Sequence, residues 1–534
     1  MGGSLSSSPA FLEKYCLNSS TAWPEFCLAS FCFLSITWYL KHKNKVMTTW
    51  PLIGILPSVV TNTHRILDWT VEIANTFGAT VFRRAGPSFL PMEFLFTCDP
   101  SNVEYIVRTN FANYPKGKDY NETFDVLGEG IFNVESEFWR KQRSTSRAIM
   151  ASEKFRTSVF TATLRVVLHS LLPLLQSTSQ SRGVIDLEEI MMRYTFDIST
   201  LFIFGRDPKC LSLGFPQNEL QNALDKALES VFYRHVMPGP VWKLFKWLNI
   251  GKERQLEKSK KKIDQCMDNY ISEKKLNLST PKQAENINDM LETYINLQKQ
   301  ESWPEHLLPR NDKFLKDTML NMLFAGRDTV GTVISWFFYL LLKNPRVESK
   351  ILEELRHVYA KKQKEDHNKR EPWLMFDAAD LKDMTYLHAA FCEALRLYPS
   401  VPLNRKTAFK EDVLPDGTVV RPGVMILISI YAMGRMEWIW GKDCLEFKPD
   451  RWIGVAGTLC LELQLKLFSF SFGPRACLGK NVAFTLMKMA ASAMLMNFHI
   501  EMVEGQRVEP KSTIVLRMKN GLKVRVKKRS DNIP

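Results

Sequence analysis

The stretch "KFLKDTMLNMLFAGRDTVGTVISWFFYLLLK", residues 313 to 343, restricts the fold more than any other part of the chain. Its apolar residues recur at helical spacing, Asn311 or Asp312 can cap its start, and Pro345 stops it. A helix apolar on most faces is either enclosed by a large core or spans a membrane. Lys316, Asp317, Arg327 and Asp328 argue against a span, so a large helical body must close around it. The 534 residues can supply one: 45% are hydrophobic and 24% charged, an ordinary globular balance, with no linker after residue 60 and no internal repeat. Strand signals are few. "EFLFTCDP" (93–100), "TVVRPGVMILISIY" (418–431) and "LKVRVKKR" (522–529) read as short strands bounded by turn residues. Segment 252–288 is highly charged and reads as a solvated helix and an exposed loop. The expected fold class is mainly α with small β-sheets.

The N-terminus is of a different kind. "TAWPEFCLASFCFLSITWYL", 21 to 40, is apolar apart from Glu25 and a few hydroxyls. Twenty helical residues at ~1.5 Å each span a ~30 Å hydrocarbon core. "KHKNK", 41 to 45, follows and keeps that end cytosolic. The reading is one transmembrane helix within a 1–45 anchor, ahead of a cytosolic domain over 46–534. A cleaved signal peptide is the rival, although no small-residue cleavage site stands out. "WPLIGILP", 50 to 57, can orient the globular part against the bilayer.

The net charge of +14 admits nucleic acid, an anionic membrane or an acidic protein as partner. No zinc spacing, RNP signature or phosphate loop is present, so nucleic acid is the weakest of the three. The ten cysteines (16, 27, 32, 98, 210, 266, 392, 444, 460, 477) form no CxxC pair, which fits free thiols in a reducing compartment.

One cysteine is set apart. "SFSFGPRACLGKNVAF" carries Phe470, Gly473, Arg475, Cys477 and Gly479 just before an apolar helical run. Glycines permit tight turns and close approach of a flat ligand, and Arg475 can pair with an anion. A helix N-terminus stabilises a thiolate, and a lone thiolate ligand suits haem iron better than zinc. The arrangement resembles the haem-binding loop of the cytochromes P450. Further motifs follow the same resemblance, in order. Trp139 and Arg143 in "SEFWRKQR" look like the pair that faces one haem propionate, one helical turn apart. "AGRDT" (325–329) looks like the oxygen-activating motif: Gly326 would leave room for O₂, and Asp328 and Thr329 would supply an acid and a hydroxyl for proton transfer. The bland alternative is a polar turn in which Thr329 bonds the carbonyl four residues back. Glu393, Arg396 and Arg451 look like the family's buried Glu–Arg–Arg network, with Asp450 where Glu is frequent. Arg405 or His388 would serve the second propionate.

The resemblance spans about residues 50–530 and is closest to the plant enzymes of the 86 clan, particularly family 96. "TCDPSNVEYIV", "NYPKG", "VLPDGTVV" and "MKNGLKVRV" carry that likeness. It implies the α-rich cytochrome P450 fold and haem b with Cys477 as axial ligand. It further implies O₂, a small hydrophobic substrate, an NADPH-dependent reductase and a single-pass place in the endoplasmic reticulum membrane. The expected reaction is hydroxylation of a long-chain fatty acid or alkane. The alternative is oxidative coupling of a phenolic alkaloid precursor, although the AGRDT motif is intact here. A P450-like isomerase and a haem-thiolate sensor are the readings from other classes; the intact acid–hydroxyl pair and the lack of a signalling domain speak against them. Arg140, Lys141, Arg147, Lys466, Lys480 and Lys488 are expected to form a reductase-docking patch.

Overall fold

The architecture is taken from a computed structural model, which describes residues 19–42, 46–48, 54–84, 93–279, 288–365, 372–464 and 466–529. The helices that matter here are α1 (Ser19–His42), α2 (Ser136–Ala151), α3 (Leu187–Phe204), α4 (Glu219–Val236), α5 (Gly251–Ser279), α6 (Asp312–Leu342), α7 (Thr385–Leu397) and α8 (Lys480–Asn497). The strands among the described residues are β1 (Thr80–Arg84), β2 (Glu93–Thr97), β3 (Val184–Asp186), β4 (Leu403–Thr407), β5 (Asp412–Val413), β6 (Val419–Val420), β7 (Met425–Ser429), β8 (Phe498–Met502) and β9 (Lys523–Lys528). Mainly helical with small sheets, the class matches the expectation.

The long apolar helix is α6. Asn311 caps it by accepting from the Phe314 N–H at 2.8 Å, and the helix ends just before Asn344 and Pro345. It runs through the main apolar cluster, where Trp336 lies flat on Tyr398 with ring centroids 4.0 Å apart. The α3–α6 crossing is close because the chain offers small residues there. A Cβ on Gly331 would lie 2.8 Å from Met192 Sδ, and one on Gly326 2.9 Å from Ser199 Oγ.

Two local readings need correction. The charged segment that begins at 252 is not a wholly solvated helix. In α5, Leu256, Ile263, Met267 and Ile271 form a buried stripe at helical spacing, and the charges occupy the other faces; its exposed-loop part over 280–287 lies outside the described residues. The 418–431 strand is two, β6 and β7, separated by the turn at Arg421–Val424. Among the described residues β1, β2, β7 and β4 form a four-stranded sheet with its own apolar cluster. In it β2 and β7 are parallel, Phe96 facing Leu427, and β4 and β7 antiparallel, Arg405 facing Leu427. The strands β3, β9 and β8 form a second sheet, and β5 pairs with β6.

At the N-terminus α1 has 24 residues, about 36 Å at the helical rise. Its described apolar side chains, Phe26, Leu28, Phe31, Phe33, Leu34 and Ile36, are all exposed. Among the described residues one helix, Glu153–Ser181, is long and apolar enough to cross a membrane, and over half of its apolar window is buried, as in a core helix; the apolar stretch of α1 within the described residues is the shorter Glu25–Leu34.

Candidate active site

Cys477 sits between two 3₁₀ turns and the start of α8. Its N–H donates to the Phe470 carbonyl at 2.8 Å, closing the loop. Gly473 has φ +67°, and a Cβ there would come 2.4 Å from the Val107 carbonyl oxygen and 2.9 Å from Arg108 Cα. Only glycine allows that backbone approach. Gly479 is the residue ahead of α8, so the thiol lies two residues before a helix N-cap. The Cys477 surface is open, yet enough protein surrounds it that burial pushes the thiol up. Those two facts together describe a group lining an interior recess. The Gly479 N–H, Arg143 and Lys480 oppose the burial effect and favour the thiolate.

The centre of α6 is partly open as well. Met322, Phe324, Ala325, Gly326 and Thr329 are partly exposed in the middle of a mostly buried helix, and Met322, Ala325 and Thr329, spaced i, i+3, i+7, run along one stripe of it. Thr329 Oγ1 donates to the Ala325 carbonyl, four residues back, at 2.7 Å, the bond that the bland alternative expects; it also holds the hydroxyl in place. Its oxygen lone pairs stay available to accept. The reading of Gly326 changes: its missing side chain faces Ser199 of α3, so it serves helix packing, and Ala325 is the small residue on the open stripe. Asp328 is 2% exposed and turns away from that stripe, toward Arg327 and Arg517. Direct contact between Asp328 and Thr329 side chains is therefore not part of the arrangement.

A third feature is a surplus of buried cations. Arg475 stacks 4.4 Å over the Trp139 ring, pairs with Glu135 at 2.5 Å and donates to the Val134 carbonyl at 2.7 Å. Lys406 is buried beside it, its Nζ 5.4 Å from the Phe111 ring. Lys116 Nζ donates to the Phe132 carbonyl at 2.7 Å and lies 4.4 Å over the Tyr120 ring. Burial, then repulsion by Arg475, pushes Lys406 down to about 8, and burial with Arg475 and Lys406 holds Lys116 well below the usual lysine value. Arg405 is on the other face of β4, as strand alternation requires, near Asp119 at 3.5 Å. The Nε atoms of Arg405 and Arg475 are buried without a protein partner. Three cations, Arg475, Lys406 and Lys116, thus converge on one carboxylate, Glu135, and the surplus calls for an anion.

Sequence reasoning missed Lys116 and Lys406. Lys116 stands in the quoted "NYPKG", and Lys406 follows Arg405; neither spacing signals a shared site. Arg143 turns to the thiol loop instead, donating to the Ala476 carbonyl at 2.7 Å. His388 is not among the cations. Its ring lies flat on Phe484 with centroids 3.9 Å apart, and burial, then Lys488 and Lys480, pushes it down to about 3. Lys488 is buried too, donating to the Leu381 carbonyl at 2.7 Å, so it drops out of the docking patch.

Beneath the thiol loop the Glu–Arg–Arg network is present as geometry. Arg396 grips Glu393 with two bonds of 2.8 Å, Arg451 Nε reaches Glu393 Oε1 at 2.9 Å, and the Trp452 indole donates to Oε2 at 2.8 Å. Arg396 also donates to the carbonyls of Cys444 and Glu446. Both Glu393 and Arg396 are fully buried, and every lone pair used is matched by a donor.

The Cytochrome P450 family model matches residues 45–526. The chain is a cytochrome P450. Noroxomaritidine synthase 2 of Narcissus pseudonarcissus is 39% identical to this P450 over 96% of this chain and 99% of its own. Cytochrome P450 86B1 of Arabidopsis thaliana is 38% identical over 99% and 94%, respectively. Alkane hydroxylase MAH1 of the same plant is 37% identical over 94% and 97%. The likeness to the 86 clan and family 96 holds, as does the class of reaction: this P450 is a monooxygenase of the haem-thiolate type. Its residues fit haem. A lone thiol ahead of a helix N-terminus, a partly open stretch of α6 and a buried cation cluster with orphaned Nε atoms suit a flat macrocycle with two carboxylates.

Proposed function

We propose that this P450 hydroxylates a long-chain aliphatic substrate, a fatty acid or an alkane, with Cys477 as the axial thiolate. Trp139, Arg475, Lys116 and Lys406 would hold the propionates, and Arg143 would steady the thiol loop through Ala476. Bound there, haem supplies the activation of O₂ and the insertion of one of its atoms into a C–H bond. The chain's own residues do the rest. Met322 and Ala325 present an apolar wall to the substrate and help exclude water, and Thr329 offers the one hydroxyl of that stripe, held by Ala325, to order a proton donor. Asp328 is the nearest acid along the helix and supplies protons from the other side. Glu393, Arg396 and Arg451 brace the loop that carries Cys477.

The observation that carries the reading is the Met322–Ala325–Thr329 stripe, apolar but for one fixed hydroxyl, within an intact AGRDT motif. The relative named alkane hydroxylase supports it. A second reading, oxidative coupling of a phenolic alkaloid precursor, draws support from the relatives named noroxomaritidine synthase. Purified protein with an NADPH-dependent reductase, given hexadecanoic acid, hexadecane and phenolic amines, separates the two. Hydroxylated chains with one oxygen gained are expected; coupled phenols without oxygen gain, and no chain product, would overturn the first reading in favour of the second.

The segment through Lys45 is proposed as a membrane anchor, with α1 as its span and the endoplasmic reticulum as its site. Arg140, Lys141, Arg147, Lys466 and Lys480 are proposed to receive an acidic reductase face on the thiolate side, since none of them is buried.

A further inference from the structure

Monooxygenation consumes protons: RH + O₂ + 2e⁻ + 2H⁺ gives ROH + H₂O, the electrons coming from the reductase. Asp328 is enclosed, so those protons need a way in. Neither oxygen of Asp328 has a hydrogen-bond partner among the described residues, nor do Arg327 Nε, Arg327 Nη1 and Ser199 Oγ. Its cations stand just beyond bonding distance, Arg327 Nη1 at 3.7 Å and Arg517 Nη1 at 3.9 Å. Buried polar atoms left open in this way are sites for ordered water.

The cluster continues outward. Arg327 Nη2 donates to Asp225 Oδ1 at 2.6 Å, and Arg517 bridges Asp225 at 3.7 Å and Glu188 at 3.5 Å. Exposure rises along it, from 2% at Asp328 through 23% at Arg517 to 40% at Asp225. Arg517 is held there by its neighbours. The Leu516 carbonyl accepts from the Trp336 indole at 2.6 Å, and the Met518 N–H donates to Glu188 at 2.8 Å. The charged groups that face Asp328 are therefore Arg327 on its own helix, Asp225 on α4 and Arg517 on the loop before β9; from α3, Glu188 pairs with Arg517 and Glu189 acts on Arg327.

We propose that Arg517 and Asp225 form the solvent inlet through which protons reach Asp328. Arg517 is a positioning residue: it acts through the carboxyl and the water that the carboxyl holds, not on substrate. Burial pushes the Asp328 carboxyl up, which favours a group that takes and passes a proton over a permanent anion. The inlet rests on the reading of Asp328 and Thr329 as the acid and the hydroxyl.

The test compares wild type, Arg517→Gln, Arg517→Lys, Asp225→Asn and Thr329→Ala in the full haem-loaded chain, on whichever panel compound is turned over. Peroxide-driven turnover serves as reference, because RH + H₂O₂ gives ROH + H₂O with no net proton uptake. For Arg517→Gln, product per NADPH should fall about fivefold relative to peroxide-driven product, with peroxide released and a larger solvent isotope effect, and Arg517→Lys should regain at least half. Asp225→Asn, which removes the charge but keeps an amide oxygen to accept from Arg327, should fall about twofold in the same ratio. Infrared titration gives a readout free of turnover: the carboxyl band lost in Asp328→Asn should shift its midpoint upward in Arg517→Gln. Unchanged ratio and midpoint in both Arg517→Gln and Asp225→Asn, or an equal loss in the peroxide reaction, would overturn the inlet. Wild-type coupling in Thr329→Ala would instead overturn the acid–hydroxyl reading on which it rests.

Discussion

Lys406 is where a single side chain can report on the cation cluster. Burial, then Arg475, pushes it down to about 8 from an ordinary 10.5, against the opposing pull of Glu135. A depressed lysine costs stability below its folded value, where a charge must be kept buried, and the cost is relieved as pH rises from about 8 toward 10.5. A propionate reverses the balance by favouring the charged form. Haem is therefore expected to be held more weakly as pH climbs past about 8, by an amount that flattens in Lys406→Gln. That variant should also lose haem to apomyoglobin about tenfold faster at pH 7, the worth of one charge-assisted bond of roughly 1.5 kcal/mol. A transfer rate equal to wild type would remove Lys406 from the site. The same residue shows what can be read from a sequence. Phe470 to Gly479 is a run of ten positions whose chemistry is local, so Cys477 and its loop were legible. Lys116, Lys406 and Arg475 meet only because β4 and the α2 region converge, and no local spacing records that meeting.

At the scale of elements, α6 was legible to within one residue at each end, because its cap, its stop and its apolar run agree. β1 and β4 were not seen: "TVFRR" and "LNRKT" are half polar, and only pairing to β2 and β7 makes them strands. α5 misled because charge density hid a narrow apolar stripe. The polar residues of α6 hold a further element in place. Asn321 accepts from the Phe132 N–H at 3.1 Å and donates to the Leu127 carbonyl at 2.8 Å, while Asp317 accepts from the Glu129 N–H at 2.9 Å. Residues 127–133 are thus clamped across the helix that bears the Met322–Ala325–Thr329 stripe. Asn321→Leu leaves a buried donor and acceptor unmatched, a cost of about 1–3 kcal/mol for each. Limited proteolysis should then cut within 127–133 several times faster, and products should spread over more carbon positions. A digestion pattern identical to wild type would mean that the clamp carries no load.

For the whole molecule, the separation of α1 from the two apolar clusters sets the expectation for truncation. None of its described side chains joins either cluster. A chain lacking residues 1–45 should load haem normally and leave membranes more readily under mild salt. In that form, Lys141→Glu with Lys480→Glu should slow reduction by the reductase several-fold at low ionic strength. The difference should shrink near 1 M salt, where the Debye length is ~3 Å. A truncated chain that takes up no haem, or slowing that is indifferent to salt, would refute the respective half.

The parallel pairing of β2 with β7 also sets a clock. Phe94 must wait for Met425, about 330 residues later in the chain. At roughly 5–20 residues per second, ribosomes need some tens of seconds to make that interval. Throughout it, "EFLFT" has β1 on one side and an open edge on the other. A nascent chain of this enzyme therefore carries a sticky, half-made sheet through most of its own synthesis, and its yield in any host depends on what shields that edge before Met425 arrives.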